Sequence, residues 1–409
     1  MDARLIAVAS PVFFVLVFVE WWLLRRRAEP VYRLHDSIAD LSCGVGEQVC
    51  QVFTYVVELW LYTTIFTQLR FHTFSIRSVG AWIALVLLLD VAYYWFHRAS
   101  HRVNFLWAVH SVHHQSEEYN FTVALRQGWI EPLMIAPFHI PLALLGFPPE
   151  MFFIGFTAHT LWQFWPHTRG IGALAIDPYF NTPANHRCHH AVNPEYIDKN
   201  YSGLFIVWDR LFGTWAREKD EPVFGTVKPL ASFNPLWAQV SFWTEMAALA
   251  RLCTRLADKL SIPFRPPEWR PAELGGPVVI PPVSAATRAR YAAEAPRALV
   301  RYTLFTFALV VLALPALTQA PPTLGWGAKL AVGSFAITSL VTIAGLVENK
   351  GWARPVEMLR LFAFVPVVWL LFAANVKLAP YVTVALGVAT VIAVVQGGWF
   401  WSASRVRAI

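Results

Sequence analysis

The sequence predicts an all-α integral membrane protein, and three observations support this fold class. Hydrophobic residues make up 56% of the 409 residues. Charged residues make up only 14%, against about a quarter in an average soluble protein. The apolar residues also gather in runs that are long enough to cross a bilayer. We therefore expect about eight or nine hydrophobic helices.

The apolar runs can be assigned in order, because a bilayer core of about 30 Å needs about 20 apolar residues in a helix. The candidate spans are residues 5–24, 48–68, 80–96, 130–146, 148–165, 298–317, 327–346, 360–376 and 380–401. No small-residue cleavage site follows the first run, so we interpret it as an uncleaved helix. The short Gly146-Phe147-Pro148-Pro149 connection predicts a tight helical hairpin that does not cross fully.

Basic residues near the span ends predict the orientation, since Lys and Arg are enriched on the cytoplasmic side. The residues that would lie inside are Arg25, Arg26, Arg27, Arg354, Arg360, Arg405 and Arg407. Segments 97–129 and 166–297 then also face the cytoplasm, although Arg70 and Arg77 would lie outside.

The chain is predicted to divide into three parts. Residues 1–250 form a membrane-embedded domain that carries the chemistry, and residues 298–409 form a C-terminal region of four transmembrane helices without histidine. Between them, 251–297 is a basic, Pro-rich cytoplasmic linker, which we expect near anionic headgroups. The net charge is +7, but the sequence contains no basic run with interleaved aromatic residues. We therefore expect no nucleic-acid partner.

The 13 histidines are crowded, since 11 of them lie between positions 97 and 190. His97 and His101 are four residues apart and share one helix face. HSVHH (110–114) and HRCHH (186–190) place histidines at i, i+3 and i+4, so each triplet is expected to aim two or three imidazoles at one point. The ten candidate ligands are His97, His101, His110, His113, His114, His159, His167, His186, His189 and His190.

This histidine set predicts a metal centre. A site made almost wholly of imidazoles suits iron, zinc or copper better than magnesium or calcium. Ten ligands exceed what one ion holds, so two neighbouring ions are expected. Asp90, two turns before His97, is placed to accept an N–H from a ligand histidine, and Gln163 is a second supporting residue. The lone His139 is expected to be a packed residue.

The histidine groups and their flanks resemble a known family. HRASH (97–101), HSVHH and HRCHH are similar to the histidine boxes of the fatty acid hydroxylase superfamily, also called sterol desaturase-like. Segments 110–129, 159–168, 181–193 and 197–215 resemble the alkylglycerol monooxygenase branch and its bacterial relatives. The resemblance covers residues 80–220 and extends to the C-terminal apolar helices.

The resemblance implies a membrane-bound, non-haem di-iron oxygenase with its histidine-rich di-metal cap in the cytoplasm. It implies two iron ions, or zinc in isolated protein, and hydroxylation of a membrane-lipid C–H bond with O2. In the alkylglycerol monooxygenase branch the carbon beside an ether oxygen is hydroxylated with tetrahydrobiopterin. Arg102 stands where that branch has an acidic residue, so the reductant and the exact lipid stay open.

The sequence is compatible with other functions as well. A hydroxylase or desaturase of sterols, fatty acids or carotenoids would share the same boxes. A metal transporter is less compatible, because it would place ionisable residues inside several spans. Asn120, Arg126 and Gln127 are expected either to line the entrance for the lipid headgroup or to brace a loop.

Overall fold

The computed structural model describes residues 3–27, 30–284, 286–293, 295–320, 324–373 and 379–405. Within these ranges the chain forms helices and loops without a strand, in agreement with the all-α prediction; the one β-bridge joins Ala191 to Phe224. The helices are α1 (Ala3–Leu24), α2 (Leu34–Leu69), α3 (Val79–Arg102), α4 (Asn104–His114), α5 (Phe121–Ala124), α6 (Glu131–Leu145), α7 (Pro149–Trp162), α8 (Pro183–His190), α9 (Val207–Leu211), α10 (Pro235–Leu252), α11 (Leu256–Ser261), α12 (Arg297–Thr318), α13 (Trp326–Val347), α14 (Ala353–Ala373) and α15 (Val382–Arg405).

Six of the described helices, α2, α3 and α12–α15, are long and apolar enough to cross a membrane. The apolar stretch Pro11–Leu24 of α1 and helix α6 are shorter. With 15 and 14 residues, α6 and α7 rise only about 22 Å, so they form the incomplete hairpin that the sequence predicts. Residues 374–376 of the eighth predicted span and Arg407 lie outside the described residues.

The turn between α6 and α7 requires its glycine. Gly146 has a φ of 102°, which favours glycine because it has no Cβ. A Cβ here would also lie 1.9 Å from the backbone oxygen of His72. The turn therefore packs directly against the loop between α2 and α3.

Helix α2 extends well beyond its predicted span of 48–68, since it begins at Leu34. The added turns carry Asp36 and Asp40, both buried, and Asp40 pairs with Arg126 at 3.3 Å. These charged residues interrupt the hydropathy pattern. Asp36 pairs with the nearby Arg33 at 3.3 Å, but the partner of Asp40 lies 86 residues away. The extension therefore connects the membrane region to the segment that follows α4.

The C-terminal helices pack against this same helix. Ile38 and Val45 of α2 share one buried cluster with Phe307 and Val310 of α12 and Leu340 of α13. The segment predicted as a linker is likewise attached to the cap, because Arg290 pairs with Glu118 at 3.0 Å. The three-part division of the chain stays a prediction, with these contacts joining its parts.

Candidate metal centre

Four chain segments bring the histidines together where α3 ends. His97 and His101 occupy the last turns of α3, and the first triplet ends α4. His167 follows α7, and the second triplet ends α8. Because α3 is long and apolar enough to cross a membrane, the histidines lie at the end of a candidate membrane span.

Nine of the ten candidate ligands form two buried clusters, and within each cluster the ligand nitrogens lie within 4.8 Å of one another. The first cluster consists of His97, His101, His110, His114 and His189. The second cluster consists of His113, His167, His186 and His190. Nitrogen–nitrogen distances of 2.9 Å (His97–His110) and 3.2 Å (His114–His189) occur in the first. The His113–His167 distance in the second is 3.1 Å.

Each triplet divides between the two clusters. Successive helical residues are rotated by about 100°, so residues at i and i+4 lie about 40° apart, whereas i+3 lies about 60° to the other side. His110 and His114 accordingly enter the first cluster and His113 the second. The second triplet has the opposite assignment, with His186 and His190 in the second cluster and His189 in the first. Two imidazoles of each triplet therefore point at one cluster, within the expected two or three, and the third enters the other cluster.

Hydrogen bonds to the outer ring nitrogens fix the direction of the imidazole lone pairs. The Nδ1 atom of His97 lies 2.6 Å from the carbonyl oxygen of Tyr201, and that of His113 lies 2.8 Å from the carbonyl oxygen of Arg126. The Nδ1 atom of His167 lies 2.9 Å from the carbonyl oxygen of Gln163. A carbonyl oxygen only accepts, so each Nδ1 carries the proton and each Nε2 presents a lone pair.

Lone pairs therefore face each other without a proton between them, which calls for a cation. The Nε2 atoms of His113 and His167 are 3.1 Å apart, and both have their protons on Nδ1. With metal–nitrogen bonds of about 2.1 Å, two nitrogens on one ion lie about 3.0 Å apart when their bonds meet at a right angle, and about 3.4 Å apart in a tetrahedral site. In the first cluster, Nε2 of His101 is buried without a hydrogen-bond partner. The residues fit two metal ions.

Burial also favours the neutral form of the imidazoles. Desolvation lowers the pKa of His113 to about 4 and that of His189 to about 3. The same cause, with neighbouring histidines, lowers the pKa values of His114, His167, His186 and His190 well below 6.5. Neutral imidazole is the form that binds metal, so these ligands are ready at neutral pH.

His159 lies outside both clusters, contrary to its place among the predicted ligands. Its Nε2 donates to Asp90 Oδ1 at 2.8 Å, and its Nδ1 accepts from Gln163 Nε2 at 3.0 Å. With both ring nitrogens occupied, no lone pair remains for a metal. Asp90 and Gln163 therefore contact a histidine, as expected, but one that lies outside both clusters.

Asp90 also holds the loop that follows α8. Its two oxygens accept from the backbone N–H groups of Leu204 and Phe205 and from Nε1 of Trp208. The same loop supplies the Tyr201 carbonyl that orients His97. Asp90 therefore acts on the first cluster through the loop.

The residues expected at a headgroup entrance are used for bracing. Asn120 is 1% exposed, donates to Val31 O at 2.7 Å and accepts from Thr122 N at 2.9 Å, where it caps α5. Arg126 is buried and donates to Val112 O at 2.7 Å. Gln127, half-buried, donates to Ala124 O at 3.0 Å. These contacts favour the bracing alternative.

The sequence did not reveal Glu131 as a supporting residue, nor the partners of Arg102. Glu131 Oε1 lies 3.0 Å from His110 Nδ1, but 21 residues separate them, so no helical spacing signals the pair. Arg102 pairs with Asp198 and, at 3.1 Å, with Glu268. The unusual basic residue after the first box thus connects α3 to two other parts of the cap.

Comparison with known proteins identifies relatives across most of the chain. The fatty acid hydroxylase family matches residues 82–214. Alkylglycerol monooxygenase of Homo sapiens is 33% identical over 366 residues, covering 87% of this chain and 80% of its own length. That of Danio rerio is 32% identical, covering 86% and 79%. A delta(7)-sterol 5(6)-desaturase of Aspergillus fumigatus is 26% identical over 41% of this chain and 46% of its own. No solved structure matches this chain.

Proposed function

This chain belongs to the fatty acid hydroxylase family and is a membrane lipid hydroxylase, and from that premise we propose that it oxidises an ether lipid with O2 at a pair of iron ions. The observation that carries the proposal is the pair of imidazole clusters with converging Nε2 lone pairs. Similarity to alkylglycerol monooxygenases over more than four fifths of the chain supports the ether-lipid substrate.

The choice of iron follows from the chemistry. An unactivated lipid C–H bond is not broken by acid–base catalysis alone, so a metal-bound oxidant is needed. Zinc satisfies the same ligands but has no redox chemistry, so it would give an inactive protein. Iron, when bound, would supply O2 activation. The two-electron reductant comes from outside, and tetrahydrobiopterin is the candidate that the resemblance to the alkylglycerol monooxygenase branch implies.

The protein's own residues would position and shield the centre. The nine clustered histidines hold the ions, while carbonyl groups such as Tyr201 O and Lys199 O fix the rings of His97 and His189. Nearly complete burial of the ligands excludes bulk water, which limits loss of the oxidant. The lipid chain would remain among the apolar helices, and the basic residues Arg25–Arg27 support a cytoplasmic cap.

The proposal is tested with iron-loaded protein in nanodiscs, supplied with a 1-O-alkylglycerol, ¹⁸O2 and tetrahydrobiopterin. Hydroxylation beside the ether oxygen gives a hemiacetal that breaks into an aldehyde and glycerol; rapid reduction traps the aldehyde as an alcohol that contains one ¹⁸O. The variant His113→Ala/His189→Ala removes one ligand from each cluster and should abolish product. The exposed His72 lies outside both clusters, so His72→Ala is the matched control.

Two outcomes would overturn the proposal. Full activity of the double variant would remove the metal clusters from the chemistry. Oxidation of a sterol in place of the alkylglycerol would favour the alternative that the similarity to a sterol desaturase suggests. A second reductant replacing tetrahydrobiopterin, with the same product, would change only the electron source.

A further inference from the structure

Four large apolar side chains are exposed on the segment that begins at the last residue of α10. Leu252 is 65% exposed, Leu256 68%, Leu260 66% and Phe264 76%; we call these four residues the outer row. They fall within 13 residues of sequence. Concentrated apolar exposure of this kind marks an interaction surface.

The outer row cannot turn inward, because the inner side of the same segment is already packed. Leu249, Cys253 and Ile262 form a buried cluster there, against Met246 and Trp269. Cys253 and Ile262 are 2% exposed, although they alternate along the chain with the outer row. The segment therefore buries one set of apolar side chains against the protein and leaves a second set exposed.

The segment contacts the chain where α3, a candidate membrane span, ends. Asn104, two residues beyond the end of α3, donates its backbone N–H to Arg265 O at 2.8 Å and its side-chain amide to Ile262 O at 2.8 Å. Arg102, the last residue of α3, pairs with Glu268 at 3.1 Å. Phe105 beside this junction is 41% exposed, and aromatic residues favour the membrane interface.

The charge around the outer row complements anionic headgroups. Residues 251–270 contain five basic and two acidic residues, and one of the acidic residues, Glu268, pairs with Arg102. Arg251, Arg255 and Arg265 are exposed. A second copy of the chain would bring the same basic residues face to face, which is unfavourable.

We propose that the outer row docks into the leaflet beside the metal centre, with anionic phospholipid as its partner. The apolar side chains insert below the headgroups, and the flanking arginines bind the phosphates. This contact fixes the height of the cap above the bilayer independently of which lipid is oxidised.

The test places a fluorescent label on full-length protein. Leu260→Cys is labelled with an environment-sensitive dye in a Cys50→Ala background, because the other three cysteines are buried. Glu195→Cys, at an exposed position of the cap, is the control. Both are placed in phosphatidylcholine nanodiscs with and without phosphatidylglycerol, and quenched by a nitroxide lipid or by aqueous acrylamide.

We expect the nitroxide lipid to quench the label at position 260 several-fold more than that at 195, and acrylamide to show the reverse order. Omission of phosphatidylglycerol, or Arg251→Gln/Arg255→Gln, should weaken lipid quenching. Equal quenching of both positions by acrylamide would overturn the proposal. Protection of position 260 from both quenchers would also overturn it, because that result indicates a protein partner.

Discussion

Asp90 provides the sharpest test of how the metal centre is held. The side chain is 0% exposed and its carboxylate accepts four hydrogen bonds. Oδ1 accepts from His159 Nε2 (2.8 Å) and Leu204 N (2.7 Å), and Oδ2 accepts from Phe205 N (2.9 Å) and Trp208 Nε1 (2.7 Å). All four partners donate, so Asp90→Asn places its NH2 group against two donors whichever way the amide turns.

The expected loss of stability follows from the two hydrogen bonds that the asparagine NH2 group cannot accept. Two hydrogen bonds to a charged acceptor contribute about 1.5–3 kcal/mol each, so Asp90→Asn should lower the free energy of unfolding by about 3–6 kcal/mol. A typical protein has only about 5–15 kcal/mol in total. The displaced loop also carries the Tyr201 carbonyl that orients His97, so we expect the first cluster to bind its ion less tightly.

The assay combines unfolding in detergent with the number of metal ions per chain measured by mass spectrometry. Asp220→Asn, at an exposed position, is the matched control and should behave like the wild type. The reasoning is refuted if Asp90→Asn unfolds within about 1 kcal/mol of the wild type and retains both ions.

Three further predictions concern the ligands and their support. His189→Ala should remove the ion of the first cluster and His186→Ala that of the second, so metal analysis should find one ion per chain in each variant. The control His72→Ala should retain both ions, and loss of the same ion in both variants would contradict the assignment. Burial lowers the pKa of His189 to about 3, so as the pH falls the unfolded state takes up a proton at this residue before the folded state does. The metal-free protein should therefore be most stable above about pH 6.5 and lose stability towards pH 3, by at most about 1.4 kcal/mol per pH unit for this group. A denaturation series that shows no loss would refute this. Arg126→Ala leaves the buried Asp40 unpaired and should cost about 3–5 kcal/mol; an unchanged melting temperature would exclude that role.

Local regularities made much of the fold predictable. The short hairpin follows from Gly146 and two prolines, and the end of α3 at the first histidine pair follows from the end of an apolar run. The start of α2 was missed because Asp36 and Asp40 interrupt its hydropathy. The burial of Asp40 depends on Arg126, which is distant in sequence, so no local pattern could have revealed it.

The sequence by itself determined that this chain is helical, membrane-embedded and rich in histidines at metal-ligand spacing, because hydropathy and helical periodicity are local properties. Only the tertiary structure decided which cluster each imidazole enters, that His159 binds Asp90 and Gln163 instead, and that Glu131 contacts His110. A metal site depends on lone pairs that converge from four separate segments. Such convergence is set by packing between helices, and spacing within one helix does not contain it.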